Sequence, residues 1–393
     1  MYDDNVIDEK YGNFLTNQTN SDLNKLRKKL HDVDWSFTNR ERGHKIENVH
    51  PYPAKFIAEI PKTFLEILPI PDATAVLDPF CGSGTTLVEC QRAGISSFGI
   101  DLNPIACLIS KVKTSALPND IDLHANLIVE MAKKITNLKE VNIPNIDHWF
   151  KIDIQNTIVR LTQAIDEQSK TEIYDILRLA LSSIIVRVSN QESDTRYAAI
   201  DKNIKADDVY DHFISAYLKI LDALKSRNWK QISTNIITED ILKVDSKQIN
   251  VPIGMVITSP PYPNAYEYWL YHKYRMWWLD YDPLAVKADE IGARAHFFKR
   301  NHHTEETFRQ QMKITFDLID NVLVKNGWIC IVIGRSKIHG RIIDNAEIIK
   351  QVAQEKNMHF ITRIERVILQ SKKSFNLSHA NIKTESIIVF QKR

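Results

Sequence analysis

The sequence predicts an open, doubly wound α/β sheet with an antiparallel end, interrupted by a helical insert. Three observations carry that expectation. A buried strand, a glycine turn and a helix follow one another over residues 75–90, with a second strand at 97–102. Apolar residues then recur at three- and four-residue spacing through an almost wholly helical stretch, 119–228. Strands return after it, and the last two read as a hairpin. Strand–helix–strand alternation closed by an antiparallel pair is the pattern of a doubly wound sheet.

The elements follow in chain order. Residues 1–45 are polar and charged and form an N-terminal arm with one amphipathic candidate helix at 22–31. That helix either reaches out over a partner or packs on the core. Residues 53–68 read as a helix. The strand ending at Asp78 opens into Pro79-Phe80-Cys81-Gly82-Ser83-Gly84-Thr85, where Gly82 and Gly84 permit positive φ and let a ligand approach the backbone. Thr85 and Thr86 begin the next helix, so their hydroxyls and free N–H groups can hold a carboxylate. That helix closes at Gly94. The following strand ends in Asp101-Leu102, close to the spacing at which a dinucleotide fold places its ribose-binding acid. Leu87 stands where a GxGxxG loop would have its third glycine, and no Gly-Lys-Ser/Thr follows. A smaller adenosine ligand fits that pattern better than a pyrophosphate or a nucleoside triphosphate.

Within the insert the helices are expected at 123–138, 153–168, 173–188 and 207–227. Strands resume at 234–237, 254–257 and 328–334, and 359–369 pairs with 385–391 as the closing hairpin. These boundaries divide the chain into the arm at 1–45, a first core part at 46–118, the insert at 119–232 and a second core part at 233–393.

The apolar run 254–258 opens into Ser259-Pro260-Pro261-Tyr262. Two prolines fix φ and donate no N–H, which leaves the carbonyls of Ser259 and Pro260 free to accept. An exocyclic amino group of a nucleobase can donate to the Ser259 hydroxyl and the Pro260 carbonyl while Tyr262 stacks on its ring. An enzyme that takes a base out of a helix to react at its amino nitrogen needs such a notch. The bland alternative is a proline-rich turn after a strand.

Composition agrees without deciding. The 393 residues are 44% hydrophobic, enough for a large core. Lys and Arg number 51 against 49 Asp and Glu, so a nucleic-acid surface must be a local patch. Cys81, Cys90, Cys107 and Cys330 show no CxxC spacing and read as reduced core residues. No run reaches transmembrane length and the acidic start is not a signal peptide, so a cytoplasmic protein without membrane contact is expected.

Together these residues resemble the amino-methylating DNA methyltransferases, which methylate cytosine N4 or adenine N6 from S-adenosylmethionine. Asp78 to Thr85 matches the family's cofactor motif and Ser259 to Tyr262 its catalytic motif. His50-Pro51-Tyr52-Pro53-Ala54-Lys55-Phe56 looks like the segment that closes over the methionine end. The order of motifs extends the resemblance over residues 46–393 and resembles the group whose target-recognition region lies between the cofactor and catalytic motifs. It implies a Rossmann-like methyltransferase sheet, S-adenosylmethionine as cofactor, no metal, double-stranded DNA as partner, and a separately encoded restriction endonuclease beside it. It also implies roles. Asp78, Phe80, Gly82, Ser83, Gly84 and Thr85 surround the methionine moiety, Asp101 and Leu102 the ribose, and Asp240 and Ile241 the adenine. Tyr52, Lys55 and Phe56 close the other side. Ser259, Pro260, Pro261 and Tyr262 act on the base.

The family's members with Ser first in the tetrapeptide mostly act on cytosine N4, which sets the expected atom. Adenine N6 methylation, RNA guanine amino-methylation and an inactive DNA-binding module are the alternatives. No cysteine lies in a proline-cysteine motif, which disfavours methylation at cytosine C5 through a covalent intermediate. For DNA contact the insert offers Arg187, Asn190, Gln191, Arg196 and Tyr197, and the region after the catalytic motif offers Tyr266, Arg294 and Arg300. The plainer reading of 186–197 is a solvated loop. His302 and His303 lack a third ligand at metal spacing. Most of the aromatic run 266–278 reads as core packing, with Tyr266 the exception nearest the notch.

Overall fold

The computed structural model describes residues 21–38, 43–118, 121–194, 196–300, 302–368 and 384–393. The first part of the arm and the end of the first hairpin strand at Leu369 lie outside them. The described helices are α1 (21–32), α2 (Glu59–Ile67), α3 (Thr85–Arg92), α4 (Pro104–Thr114), α5 (His124–Lys134), α6 (Ile146–Trp149), α7 (Ile152–Asp166), α8 (Tyr174–Val188), α9 (Ala206–Lys225), α10 (Tyr268–Trp278), α11 (Pro283–Asp289), α12 (Glu305–Val322) and α13 (Asn345–Glu355). The strands are β1 (Ala75–Asp78), β2 (Ser97–Asp101), β3 (Gln191–Ser193), β4 (Arg196–Ala199), β5 (Thr234–Thr238), β6 (Ile253–Thr258), β7 (Leu323–Gly334), β8 (Ser336–Ile338), β9 (Arg341–Ile343), β10 (Met358–Val367) and β11 (Thr384–Lys392).

Seven strands form one sheet in the order β10-β11-β7-β6-β1-β2-β5. β5, β2, β1, β6 and β7 run parallel, and β11 is antiparallel to both β7 and β10. The doubly wound sheet with an antiparallel end is therefore present. Its strand order reverses at β1, since β2 lies on one side of β1 and β6 on the other. In open sheets of this kind the crevice outside the carboxyl ends at the reversal receives ligand. Here it is bounded by Asp78, Asp101, Thr238 and Thr258, the last residues of β1, β2, β5 and β6.

Alternation along each strand sends side chains to two cores. Val76, Met255, Ile257, Trp328, Cys330 and Val389 meet Phe64 of α2 and Leu30 and Trp35 of the arm. Leu77, Ile100, Val256, Ile329, Ile331 and Phe390 meet α12 and α13 on the other face. Truncating Trp328, 1% exposed, to alanine would cost about 3–5 kcal/mol. The described part of the arm is thus packed on the sheet, and His31 is bonded to Thr362 of β10 (2.8 Å).

A third core joins α5, α7, α8 and α9 of the insert to α4 and α10. Trp269, Tyr274 and Trp278 of the aromatic run are buried in it. The insert is not wholly helical: Gln191–Ser193 and Arg196–Ala199 pair as the antiparallel strands β3 and β4. One expected helix is shortened. Residues 53–57 are not helical, because Ala54 takes φ +46° after Pro53, and α2 starts only at Glu59. In β7 the strand starts earlier than expected, at Leu323, and passes through Asn326 at φ +63°.

Candidate active site

At the carboxyl edge of the sheet lies a cavity of about 620 Å³. Its wall brings together residues from widely separated stretches of sequence, among them the segment after His50, the glycine loop, the ends of β2 and β5, and the Ser-Pro-Pro-Tyr turn.

The glycine loop is shaped by its own backbone and by α4. Gly82 (φ +49°) donates its N–H to Asp101 Oδ2 (2.8 Å), and Gly84 (φ +77°) caps α3. A Cβ added at Gly84 would stand 2.7 Å from Ser110 Oγ and 3.0 Å from Ser110 Cα, so α4 and the loop meet too closely for any side chain. From α4, Ser110 donates to the Gly82 carbonyl and Lys113 to the Ser83 carbonyl, both at 2.8 Å. Burial, with Lys55 nearby, brings the Lys113 ammonium down to about 7. With its carbonyls held from below, the loop keeps its open face for a ligand.

Asp78 joins the two motifs. Its carboxylate accepts from the Phe80 N–H (3.2 Å) and from Thr258 Oγ1 (2.7 Å), the residue just before Ser259. Burial raises it to about 6, against the pull of those hydrogen bonds. Asp101 is raised to about 6 by the same cause while accepting N–H groups from Gly82 and Asn103. Each of its oxygens carries one backbone bond, and the residue lines the cavity. Beside it Asn103, 3% exposed, accepts from the Ile105 N–H, but its Nδ2 has no partner among the described residues. A buried donor without a partner beside a buried acid is a place where a ligand oxygen fits. Asp240, 5% exposed, follows β5 and accepts from the Leu242 N–H (3.0 Å), with Ile241 next to it in the wall.

Tyr52 leans over Gly82 and stacks on Tyr268 (centroids 5.9 Å apart, 27° between planes). Lys55 and Phe56 line the same side, the Lys55 ammonium donating to the Glu47 carbonyl (2.7 Å) and lowered by burial to about 8. Opposite them Ser259, Pro260, Pro261 and Tyr262 enter the wall together with Tyr266. The Tyr262 hydroxyl donates to Glu385 Oε1 (2.8 Å) and lies 3.5 Å from Ser259 Oγ. Glu385 Oε2 in turn accepts from Arg366 (2.7 Å), whose Nε is held by the Trp35 carbonyl. Glu290 accepts the N–H groups of Tyr268 and Trp269 at the start of α10, and burial raises it to about 8.

Of the residues expected at the cofactor and catalytic sites, all line the cavity except Gly84, which supports the loop from behind. The other DNA-contact candidates lie elsewhere. Gln191 is buried and donates to the Ser193 carbonyl, Asn190 to the His148 carbonyl, and Tyr197 to the Leu270 carbonyl. Arg187 is exposed, and Arg196 is exposed in an ion pair with Glu192 (2.9 Å). Arg294 lies 5.5 Å over the Phe298 ring, and Arg300 is exposed. The His302 ring packs against His339 at a tilt (centroids 4.1 Å, 56° between planes), and no group of three metal-binding side chains occurs among the described residues. Sequence reasoning missed Asn103, Tyr268, Glu290, Arg366 and Glu385. Asn103-Pro104 carried a signal, a helix cap followed by proline at the first turn. Arg366 and Glu385 face each other across the β10–β11 pair, a charge pairing that becomes visible only once that register is known.

Residues 3–112 and 253–393 match the model of the N6/N4 family described as DNA methylase, and the insert falls in the gap between the two matched parts. Type II methyltransferase M.MvaI of Kocuria varians is 25% identical over 297 residues, 68% of this chain and 65% of that protein. Type II methyltransferase M.MjaII of Methanocaldococcus jannaschii is 36% identical over 107 residues, 26% of this chain and 20% of that protein. Type II methyltransferase M.BsoBI of Geobacillus stearothermophilus is 23% identical over 279 residues, covering 63% and 55%. In each case the chain spans less than two thirds of the relative's own length.

Proposed function

The chain belongs to the N6/N4 DNA methylase family, and from that premise we propose that it methylates the exocyclic N4 of a cytosine turned out of double-stranded DNA. The observation that carries the reading is the single cavity lined by both the glycine loop with Asp101 and the Ser259–Tyr262 turn. The methyl donor is S-adenosylmethionine, which supplies an electrophilic methyl group when bound. Asp101 and Asn103 would hold the ribose hydroxyls, Asp240 the adenine amino group with Ile241 against its ring, and the glycine loop with Thr85 the methionine end. Tyr52 and Phe56 would cover that end from outside.

An amino nitrogen is a weak nucleophile because its lone pair is delocalised into the ring. Ser259 Oγ and the Pro260 carbonyl accept its two hydrogens and draw it towards tetrahedral geometry, which localises the lone pair. Tyr262 supports the ring face. Positioning and these fixed acceptors supply the acceleration. The Asp78–Thr258 bond ties the loop that aligns the donor to the strand that presents the acceptor.

Cytosine N4 rather than adenine N6 follows from the serine in the first position. The insert, 119–232, is assigned to target recognition, and a separately encoded restriction endonuclease is the expected companion of a cytoplasmic enzyme of this kind. The names of the relatives, all type II methyltransferases, support that setting. Incubation with labelled S-adenosylmethionine and either duplex DNA or tRNA, followed by mass spectrometry of the nucleosides, tests the reading. N4-methylcytosine from duplex DNA is the expected product. N6-methyladenine alone overturns the choice of atom, and label in tRNA alone overturns the function.

A further inference from the structure

The catalytic turn has a cationic neighbour that the target-recognition assignment leaves unused. Immediately after β7, residues 335–343 form the β8–β9 hairpin, with Lys337 opposite Ile342 and Ile338 opposite Arg341. His339 (φ +47°) and Gly340 (φ +82°) make its two-residue turn, both left-handed as a tight hairpin requires. The hairpin is firmly rooted. Buried Asn345 donates to the Gly334 carbonyl (2.8 Å) and Ser336 Oγ (2.7 Å), and Ile338 is only 4% exposed.

Its place is set by the site. Gly334 pairs with Glu385, the residue that holds the Tyr262 hydroxyl. Asn264, two residues after Tyr262, donates to the Lys337 carbonyl (2.7 Å). His339 packs against His302 at a tilt, which brings in the segment carrying Lys299 and Arg300. Arg335, Lys337, Arg341, Lys299 and Arg300 are all exposed, and none has an ion-pair partner among the described residues. No Asp or Glu occurs between Gly292 and Thr304 or between Gly334 and Ile343. In a chain of net charge +2 this is a concentration of cations with no ion-pair partner among the described residues.

We propose that the 335–343 hairpin, with Lys299 and Arg300 beside it, is a clamp for the phosphate backbone of duplex DNA next to the extruded base. The proposal rests on the DNA reading of the cavity and deepens it. Cations on a rigid turn beside an open-edged site suit a polyanion that must be held while one nucleotide leaves the stack. Ile342, 73% exposed across from Lys337, gives the Lys337 face of the hairpin an apolar side chain for the sugar edge.

Binding of a fluorescent duplex measured against salt concentration tests this directly. Each phosphate contact adds about 0.9 to the slope of log K against log salt. The combined variant R335A/K337A/R341A is expected to lower that slope by about two to three and to weaken binding more than tenfold near 0.1 M salt. Affinity for S-adenosylmethionine should stay at the parent's value, which reports that the fold is intact. R335K/R341K, which keeps the charge, should keep the parent slope. If the triple variant fails to bind S-adenosylmethionine, the three single alanine variants replace it, each expected to lower the slope by about one. Parent-like slopes in the alanine variants overturn the clamp while leaving the methyltransferase reading in place. A parent protein that binds S-adenosylmethionine but shows neither duplex binding nor DNA methylation overturns the DNA reading itself, and the clamp with it.

Discussion

The cofactor side of the cavity and its target side are built in different ways. On the cofactor side the contacts are local: a loop of eight residues, the acid at the end of the next strand and the helix after it. Gly82, Asp101, Asn103 and Ser110 are joined by bonds that cross few residues of chain. On the target side Tyr262 is held by Glu385, 123 residues away, and Glu385 by Arg366, with Trp35 behind them. The glycine loop, Asp101 and α4 form a unit that one stretch of sequence specifies, although Asp240 and the Asp78–Thr258 bond join it from far along the chain. The target side exists only after the whole sheet has closed. Changes on the cofactor side should therefore act on ligand affinity, and changes on the target side on turnover.

Gly84→Ala should have the largest effect. The added Cβ meets Ser110 at 2.7–3.0 Å, and the residue stands at φ +77°, where a side chain costs about 1–3 kcal/mol even without the contact. We expect loss of measurable S-adenosylmethionine binding by calorimetry and a lowered midpoint of thermal unfolding. Near-parent affinity would show that the loop can move away from α4, and the cofactor side would then not be the rigid unit described. Asp101→Asn comes next. It removes a charged acceptor but keeps the shape, so affinity should fall about 10–100-fold, the range for a hydrogen bond to a charged group. Turnover at saturating cofactor should change far less.

The same division decides what was legible in the sequence. The β1–loop–α3 unit and the turn after β6 could be read because strand, glycine and helix signals stand within a few residues of one another. The four insert helices were legible from periodicity alone, and their ends differ from expectation by a few residues. Residues 53–57 were not, since the helical pattern there is broken by one backbone angle at Ala54 that composition does not announce. Glu290, Arg366 and Glu385 were invisible for a different reason. The hairpin carrying Arg366 and Glu385 was expected, but a single sequence does not state its register, and Glu290 acts by accepting N–H groups of α10 from a separate loop.

The pH response sharpens the comparison. Asp101 and Asp78 are each raised by burial to about 6, above the usual carboxylate value of about 3.9. Below pH 6 Asp101 takes up a proton and loses its charge as an acceptor, so S-adenosylmethionine affinity should fall as pH drops from 7 to 5. Stability should move the other way. Between about pH 4 and 6 the folded protein binds more protons at these two groups than the unfolded chain, so their contribution to stability rises as pH falls and is lost as pH rises. Titrating affinity and unfolding midpoint on one preparation checks both signs. In Asp101→Asn the pH dependence of affinity should flatten, and a dependence as steep as the parent's would assign it to another group.

The smallest expected effect lies on the target side, at Glu385. Its carboxylate accepts from both Tyr262 (2.8 Å) and Arg366 (2.7 Å), so it holds the ring of the tyrosine proposed to support the base. Glu385→Gln keeps an acceptor for the Tyr262 hydroxyl and loses only the charge opposite Arg366. Glu385→Ala frees the hydroxyl and leaves the guanidinium, in a residue only 5% exposed, without its partner. Freeing one hydrogen-bonded ring costs about 0.5–1.5 kcal/mol, so kcat on duplex DNA should fall a few-fold to about tenfold in the alanine variant and less in the glutamine variant. S-adenosylmethionine affinity should be unchanged in both, because no atom of Glu385 bonds to the cofactor side among the described residues. A purely structural role for the Arg366–Glu385 pair would lower stability and both parameters together. A fall in kcat at constant cofactor affinity, largely restored by glutamine, would show that the long-range half of the cavity sets the geometry of the reacting base.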